Sequence, residues 1–347
     1  SHWLQRDYVW GEPQPLPRVG LYHPQLSNPS LSDWQANWQV GAPVAALLFY
    51  RTQVQAANTG FIDVFCQRLQ AQGLNPLPIA VASLKEAACL AQVEDWLDAT
   101  DCALIINTTA FALSNPEAPS ARPLRRDIPV LQSICALDNH EQWQANAQGL
   151  GSRDLAMHIV LPELDGRLIT QPISFKGLAW RSERSQSDVV CYQPHLPGMD
   201  FVAELACNWV ALAHKGNADK RIALILANYP TRDGRIGNGV GLDTPAAALN
   251  ILRALEQQGY PVAELPDSGT ALIHQLLGGV TNELDSLDAR PCAQSLALDE
   301  YLAFFHSLPV ANQQAVRERW GEPKSDPMFR SGRLMIAGLR FGLTFVG

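Results

Sequence analysis

Several chemical signatures are missing from this chain of 347 residues, and each absence removes a class of function. Neither Gly-Lys-Ser nor Gly-Lys-Thr occurs, so a Walker-type phosphate loop is excluded and any ATP hydrolysis falls to another chain. The seven cysteines (Cys66, Cys89, Cys102, Cys135, Cys191, Cys207 and Cys292) are widely spaced with no Cys-x-x-Cys pair, which argues against a zinc clamp or a dithiol redox centre. They read as free, mostly buried thiols of a reducing compartment. The eight histidines form no His-Glu-x-x-His, and no Gly-x-Ser-x-Gly elbow is present, so metalloprotease and serine-hydrolase readings have no support. Lys and Arg total 26 against 34 Asp and Glu, a net charge of -8 without the basic footprint that nucleic acid requires. No apolar run approaches the ~20 residues of a membrane span, and Ser1-His2-Trp3-Leu4-Gln5-Arg6-Asp7 lacks the basic and apolar regions of a signal peptide. The expectation is a cytoplasmic protein that binds neither nucleic acid nor a bilayer.

What is present points to a globular chain. Hydrophobic residues make up 47%, and the 24 Gly and 24 Pro follow no collagen-like period. Residues 1–40, rich in Pro and Trp, show no sustained period and read as an irregular N-terminal segment. Residues 41–150 read as a first α/β domain: a buried strand over Val44–Tyr50, a helix through Phe61, Phe65 and Leu69 ending at Gly73, and strands over 77–81, 102–107 and 129–134 around a helix from Leu84 to Leu97. Residues 151–215 read as a β-hairpin, Met157–Leu161 against Leu168–Thr170 across a Pro162–Gly166 turn, followed by a connecting helix. Residues 216–347 read as a second α/β domain with C-terminal helices over 298–308 and 312–320. Its strand over 221–228 leads through a glycine-rich loop to a helix capped by Thr244, with a return strand at Tyr260–Leu265. The expected fold class is α/β, with two Rossmann-like or flavodoxin-like parallel-sheet layers, an intervening β-hairpin and a helical C-terminal part.

The loop from Asn228 to Pro245 joins a strand end to a helix start, where open α/β sheets bind ligands and a helix N-terminus offers free N–H groups. Its Gly237, Gly239 and Gly241 do not form the dinucleotide fingerprint, because they stand well past the strand and are spaced G-x-G-x-G. The same composition also suits a long surface loop whose glycines only permit its turns. Glu163 and Asp165, two residues apart, point the same way on an extended segment and can take a metal ion or a proton; equally, they can simply belong to a hairpin turn. His158 precedes them on the same segment.

Taken with their order and spacing, several segments resemble one family. They are Val44 to Arg51, Leu104 to Phe111, Asp154 to Met157 with Leu161 to Arg167, Ile173 to Lys176, Leu226 to Pro230 with Gly239 to Pro245, and Arg319 to Gly321 with Arg340 to Gly342. The chain resembles the large (CobN-type) subunit of aerobic cobaltochelatase, a relative of the porphyrin-binding H subunit of magnesium chelatase. The resemblance implies insertion of cobalt(II), as substrate metal, into hydrogenobyrinic acid a,c-diamide during cobalamin biosynthesis. ATP-Mg would be used by separate AAA+ ATPase subunits. It implies catalytic roles for Glu163, Asp165 and His158, with Glu163 and Asp165 handling the metal. Arg232, Arg235, Gly237, Asn238, Gly239, Gly241, Asp243 and Thr244 would then lie on the macrocycle side.

Family members are far longer, carry Asn at the position of Leu343 and continue into a Gln-Pro-x-Arg-Gly stretch not found here. The resemblance therefore implies a fragment that is inactive when isolated. The alternatives are a non-catalytic tetrapyrrole-binding module or a porphyrin-binding subunit like magnesium chelatase H. A bilobed small-ligand carrier is disfavoured by the missing export signal and the odd cysteine count, and a NAD enzyme by the glycine spacing.

Overall fold

Residue 12, residues 16–115, residue 117 and residues 123–347 are described by the computed structural model. The chain divides into two units, Ser1–Ala213 and His214–Gly347. Most of the first fifteen residues, part of the segment expected to be irregular, lie outside the described residues.

Among the described residues the first unit has seven strands: β1 (Val19–Leu21), β2 (Val44–Tyr50), β3 (Asn75–Val81), β4 (Leu104–Asn107), β5 (Val130–Ala136), β6 (Leu168–Ser182) and β7 (Ser187–Pro194). They form one mixed sheet in the order β1-β3-β2-β4-β5-β6-β7. The five inner strands are parallel, and β1 and β7 run antiparallel to their neighbours. Strand β2 has no polar residue before Tyr50 and is buried throughout Val44–Phe49, as a strand covered by helices on both faces must be. Its alternate side chains feed two cores. Ala45, Leu47 and Phe49 pack with Phe61, Phe65 and Leu69 of helix Gly60–Ala71 and with Met199, Val202 and Ala206 of helix Leu196–His214. Ala46 and Leu48 pack with Leu77, Ile79, Val93 and Leu97, the last two from helix Ala87–Ala99. Counted along the chain, the parallel strands lie in the order 2-1-3-4-5, a doubly wound arrangement whose direction of progression reverses between β2 and β4.

Two expected strands are not formed. Met157–Leu161 belongs instead to a continuous helical run, residues 152–163, whose middle part Leu155–Val160 is a π-helix. A short apolar run does not itself choose between strand and helix. Tertiary bonds decide here: Asp154 Oδ2 accepts the Leu137 N–H at 2.9 Å, and the Met157 carbonyl accepts the Phe111 N–H at 3.1 Å. The hairpin of this unit is made one step later, by β6 and β7 around Glu183–Gln186.

The second unit has six short strands: β8 (Ile222–Leu224), β9 (Gln294–Ala297), β10 (Phe329–Arg330), β11 (Arg333–Ile336), β12 (Leu339–Phe341) and β13 (Thr344–Val346). They make two small sheets, β12-β13-β8, in which β8 and β13 are parallel, and the antiparallel β10-β11-β9. Helices Thr244–Gln257 and Gly269–Leu277 close a core of Ala248, Leu252, Val262, Leu272, Leu276, Phe341 and Val346. The strand expected at Tyr260–Leu265 is absent because Pro261 has no N–H to give a ladder. Instead the chain turns sharply, with the Val262 N–H on the Tyr260 carbonyl, and the Pro261 carbonyl accepts the Leu343 N–H. A wide second parallel layer is therefore not built. Helices Leu298–Ser307 and Val310–Trp320 complete the helical C-terminal part. All seven cysteines are free, and among the described residues no helix is long and apolar enough to cross a membrane.

Gly198 lets helix Leu196–His214 touch the sheet: a Cβ there would collide with the Pro172 carbonyl oxygen, which is backbone and cannot move aside. Gly198→Ala is expected to cost at least the roughly 1–3 kcal/mol of an overpacked core. Urea unfolding of the variant beside the parent measures the loss, and an unchanged midpoint would show that the helix shifts freely.

Candidate functional site

At the carboxyl ends of the parallel strands, beside the reversal between β2 and β4, lies a cavity of ≈ 250 Å³. Tyr50 closes it from the end of β2, Thr108 and Phe111 from the segment after β4, Cys135 from β5, His158 from the helical run and Tyr192 from β7. The walls are mostly apolar or aromatic. The Tyr50 hydroxyl is engaged with the backbone of Ala110, accepting its N–H at 3.0 Å and donating to its carbonyl at 3.3 Å. Burial pushes the Cys135 thiol up to about 11, so it stays protonated.

The wall after β4 is held by a buried polar network. Asp165, its side chain 1% exposed, accepts the N–H groups of Leu113 at 2.6 Å and Ser114 at 2.8 Å. It also receives Nη2 of Arg167 at 2.7 Å. Burial alone would raise this carboxyl, but the Leu113 and Ser114 N–H groups and Arg167 outweigh it and hold the group below its ordinary value. Nη1 of Arg167 donates to Oε1 of Gln132, which also accepts Nδ2 of Asn107. Asn107 Oδ1 in turn accepts the Thr109 hydroxyl. Phe111 sits within this clamped segment at φ +69°, a left-handed conformation costly for an aromatic residue and maintained only because its neighbours fix it.

His158 and Asp154 lie one helical turn apart, with Nε2 and Oδ1 3.8 Å from each other. The carboxylate is 1% exposed and the imidazole 10%. Burial lowers the His158 pKa, and the Asp154 charge only partly offsets this, so the ring is neutral at neutral pH with its proton assigned to Nε2, facing the carboxylate. Burial raises Asp154, against the Leu137 N–H that steadies its charged form.

Glu163 is exposed at the end of the helical run. Thus His158, Glu163 and Asp165 share the first unit, with only His158 lining the cavity and Asp165 bound into its supporting network. The remaining sequence candidates belong to the second unit. Arg232, Arg235, Asn238, Gly241 and Asp243 are exposed on the loop before helix Thr244–Gln257, whereas Gly237 is buried and Gly239 and Thr244 are partly so. The helix is capped by Asp243, whose Oδ1 accepts the Ala246 N–H at 3.1 Å, and not by Thr244, which is already helical. Gly237 has φ +68°, and a Cβ on Gly239 would come within 2.8 Å of Thr244 Oγ1, so the loop's own path accounts for both. Asp233 anchors the loop: it receives Arg290 Nη2 and the Thr281 hydroxyl, and these bonds hold its carboxyl low against the opposing effect of burial. Among the described residues no three His, Cys, Asp or Glu side chains gather closely enough to hold a metal ion.

Sequence reasoning missed Asp154, Gln132, Arg167, Asp233 and Arg290 as organisers. The usable signal was the polar run Asn107-Thr108-Thr109 at the end of an apolar strand, and an arginine two residues from a carboxylate at a strand start.

Arg167→Met should cost about 3–5 kcal/mol, because it strands the buried Asp165 charge; chemical denaturation reads it out. By NMR, His158 should titrate below its ordinary 6.5, and Asp154→Asn should lower it further by removing the charge that favours protonation. In linkage terms the fold binds fewer protons there than the unfolded chain. This contribution to stability is complete above about 6.5 and falls away as the pH drops toward the depressed folded value.

The family model described as CobN/Magnesium Chelatase matches residues 1–347. The chain is 72% identical over all of its length to the aerobic cobaltochelatase subunit CobN of Pseudomonas aeruginosa, of which it covers 28%. It is 36% identical to the subunit of the same name from Sinorhizobium sp, over 96% of the chain and 27% of that relative. The solved structure of the catalytic subunit of cobaltochelatase from Mycobacterium tuberculosis superposes with a TM-score of 0.73 at 30% identity, covering 99% of this chain and 28% of that one. The chain thus spans little more than a quarter of the length of these relatives, and it belongs to the CobN/magnesium chelatase family.

Proposed function

We propose that the chain works as part of a cobaltochelatase large subunit, binding hydrogenobyrinic acid a,c-diamide for insertion of cobalt(II) while AAA+ partner subunits hydrolyse ATP. The observation that carries this is the 72% identity over the whole of this chain to a cobaltochelatase subunit, which favours a corrin and cobalt over a porphyrin and magnesium. Insertion puts a divalent ion where the corrin held its inner N–H proton, so the site needs groups that accept a proton and strip water from the ion. Glu163, exposed and carboxylate-bearing, suits that task, with His158 neutral and able to accept a proton. Asp165, engaged on both oxygens, would serve by fixing the cavity wall rather than by meeting the metal first. Arg232 and Arg235 would meet ring carboxylates beside the amino end of helix Thr244–Gln257, and Asn238, Asp243 and Thr244 with the three glycines would shape that surface.

A second reading, a tetrapyrrole-binding module without its own chemistry, is favoured by the engagement of Asp165. Glu163→Gln in the assembled chelatase separates the two, since it should cut cobalt insertion at least tenfold under the first and leave it unchanged under the second. Binding is tested by following quenching of the nine tryptophans. Metal-free hydrogenobyrinic acid a,c-diamide should quench saturably and a porphyrin should not; equal response to both rings would overturn the corrin assignment.

A further inference from the structure

Four rings meet on the side of the first unit's sheet away from the cavity. On β5, Cys135 lines the cavity, so Ile134 and Ala136 point to the other face, where they pack with Phe175 and Trp143. His140 and His195 join them. The two imidazole centroids are 5.0 Å apart; Phe175 lies 5.2 Å from the first and 5.3 Å from the second, and Trp143 lies 5.7 Å from each. None of the four lines the cavity.

Both histidines stand on fixed backbone. His140 opens helix His140–Ala145, whose cap Asn139 accepts the Gln142 N–H at 2.8 Å. His195 directly precedes helix Leu196–His214: its N–H donates to the Ile173 carbonyl at 2.8 Å, and its carbonyl accepts the Met199 N–H at 3.0 Å. A Cβ on Gly198 would stand 2.8 Å from His195 Cδ2, so that edge of the ring rests against the helix. The ring nitrogens are uncommitted. Both rings are half-buried, yet no hydrogen bond or ion pair engages any of their nitrogens among the described residues, and none of these is sealed from solvent. Burial and the neighbouring His140 lower the His195 pKa, so this ring is neutral at neutral pH.

Ring packing alone is served by hydrocarbon rings, and the imidazoles add polar atoms that the surrounding protein does not use. Neutral imidazoles with free lone pairs are the donors preferred by Co(II), Ni(II), Cu(II) and Zn(II). At a metal–nitrogen distance of roughly 2.1 Å, two rings sharing one ion at an angle of about 90–110° have centroids roughly 4.5–5.2 Å apart. The observed 5.0 Å falls within that interval. We propose that His140 and His195 together bind one divalent transition-metal ion on this face of the sheet, through one ring nitrogen each. No third His, Cys, Asp or Glu completes the set among the described residues, so water fills the remaining positions and the ion exchanges readily, unlike the closed four-ligand zinc centre of a structural site. The inference concerns a site apart from the cavity and does not rest on the function proposed above.

The test titrates cobalt(II) chloride into the protein at pH 7.5 while the imidazoles of His140 and His195 and the indole of Trp143 are followed by NMR. Cobalt(II) should shift or broaden all three saturably, and magnesium chloride, an oxygen-preferring ion, should leave them in place. Movement of one imidazole without the other, movement of neither, or an equal response to magnesium overturns the proposal. His140→Phe and His195→Phe each keep a ring in the cluster and remove its nitrogens. Checked for an unaltered thermal midpoint, each should weaken the cobalt(II) response of the remaining imidazole and of Trp143 at least tenfold; a full response in either overturns the proposal. Should a variant fail to fold, the unmodified protein decides. Paramagnetic shifts across its assigned spectrum should place the ion roughly 2.1 Å from a nitrogen of both rings, and an ion placed elsewhere overturns the proposal.

Discussion

One buried carboxylate holds the functional end of the first unit together. Asp165 reaches back to the N–H groups of Leu113 and Ser114, more than fifty residues earlier, and is itself neutralised by Arg167. A charge so deeply placed is tolerable only because every bond around it favours the ionised form. The segment after β4 is thereby pinned, Phe111 is kept in its left-handed backbone, and the cavity acquires a fixed wall. Through Arg167 and Gln132 the same carboxylate is continuous with Asn107 and Thr109. Two of the segments by which the sequence resembles its family are therefore partners in a single hydrogen-bonded structure.

Much of the parallel sheet was legible in the sequence, and the reason is its burial on both faces. Val44–Tyr50 and Leu104–Asn107 carry unbroken apolar runs between turn signals, and the helices between the strands show their apolar stripes plainly. Local pattern failed where distant partners decide. Met157–Leu161 has the composition of a strand but is drawn into a helical run by bonds to Leu137 and Phe111, and Tyr260–Leu265 loses its ladder to a proline. The candidate site was half legible. Glu163, Asp165 and His158 were named as candidates, yet the hairpin expected around them hid that Asp165 is clamped and that His158 faces Asp154. An i, i+4 relation is visible only once the segment is known to be helical.

The second unit organises its prominent loop by a similar device. Asp233, tied to Arg290 and Thr281, does for the loop of Arg232 and Arg235 what Asp165 does for the segment of Phe111. In the first unit the carboxylate holds backbone N–H groups directly, and in the second it holds the side chains of Arg290 and Thr281.

Strand β3 carries one more consequence. Its outer margin is only partly covered, since β1 pairs with Ile79, Ala80 and Val81 and stops there. Beyond that point the residues whose backbone faces outward are Pro76 and Pro78, which have no N–H, and their carbonyls are already taken by Trp38 Nε1 and the Tyr22 N–H. A bare sheet margin normally invites a strand from another molecule. Along this stretch β3 offers an approaching strand neither donor nor free acceptor, so this part of the margin cannot template edge-to-edge pairing.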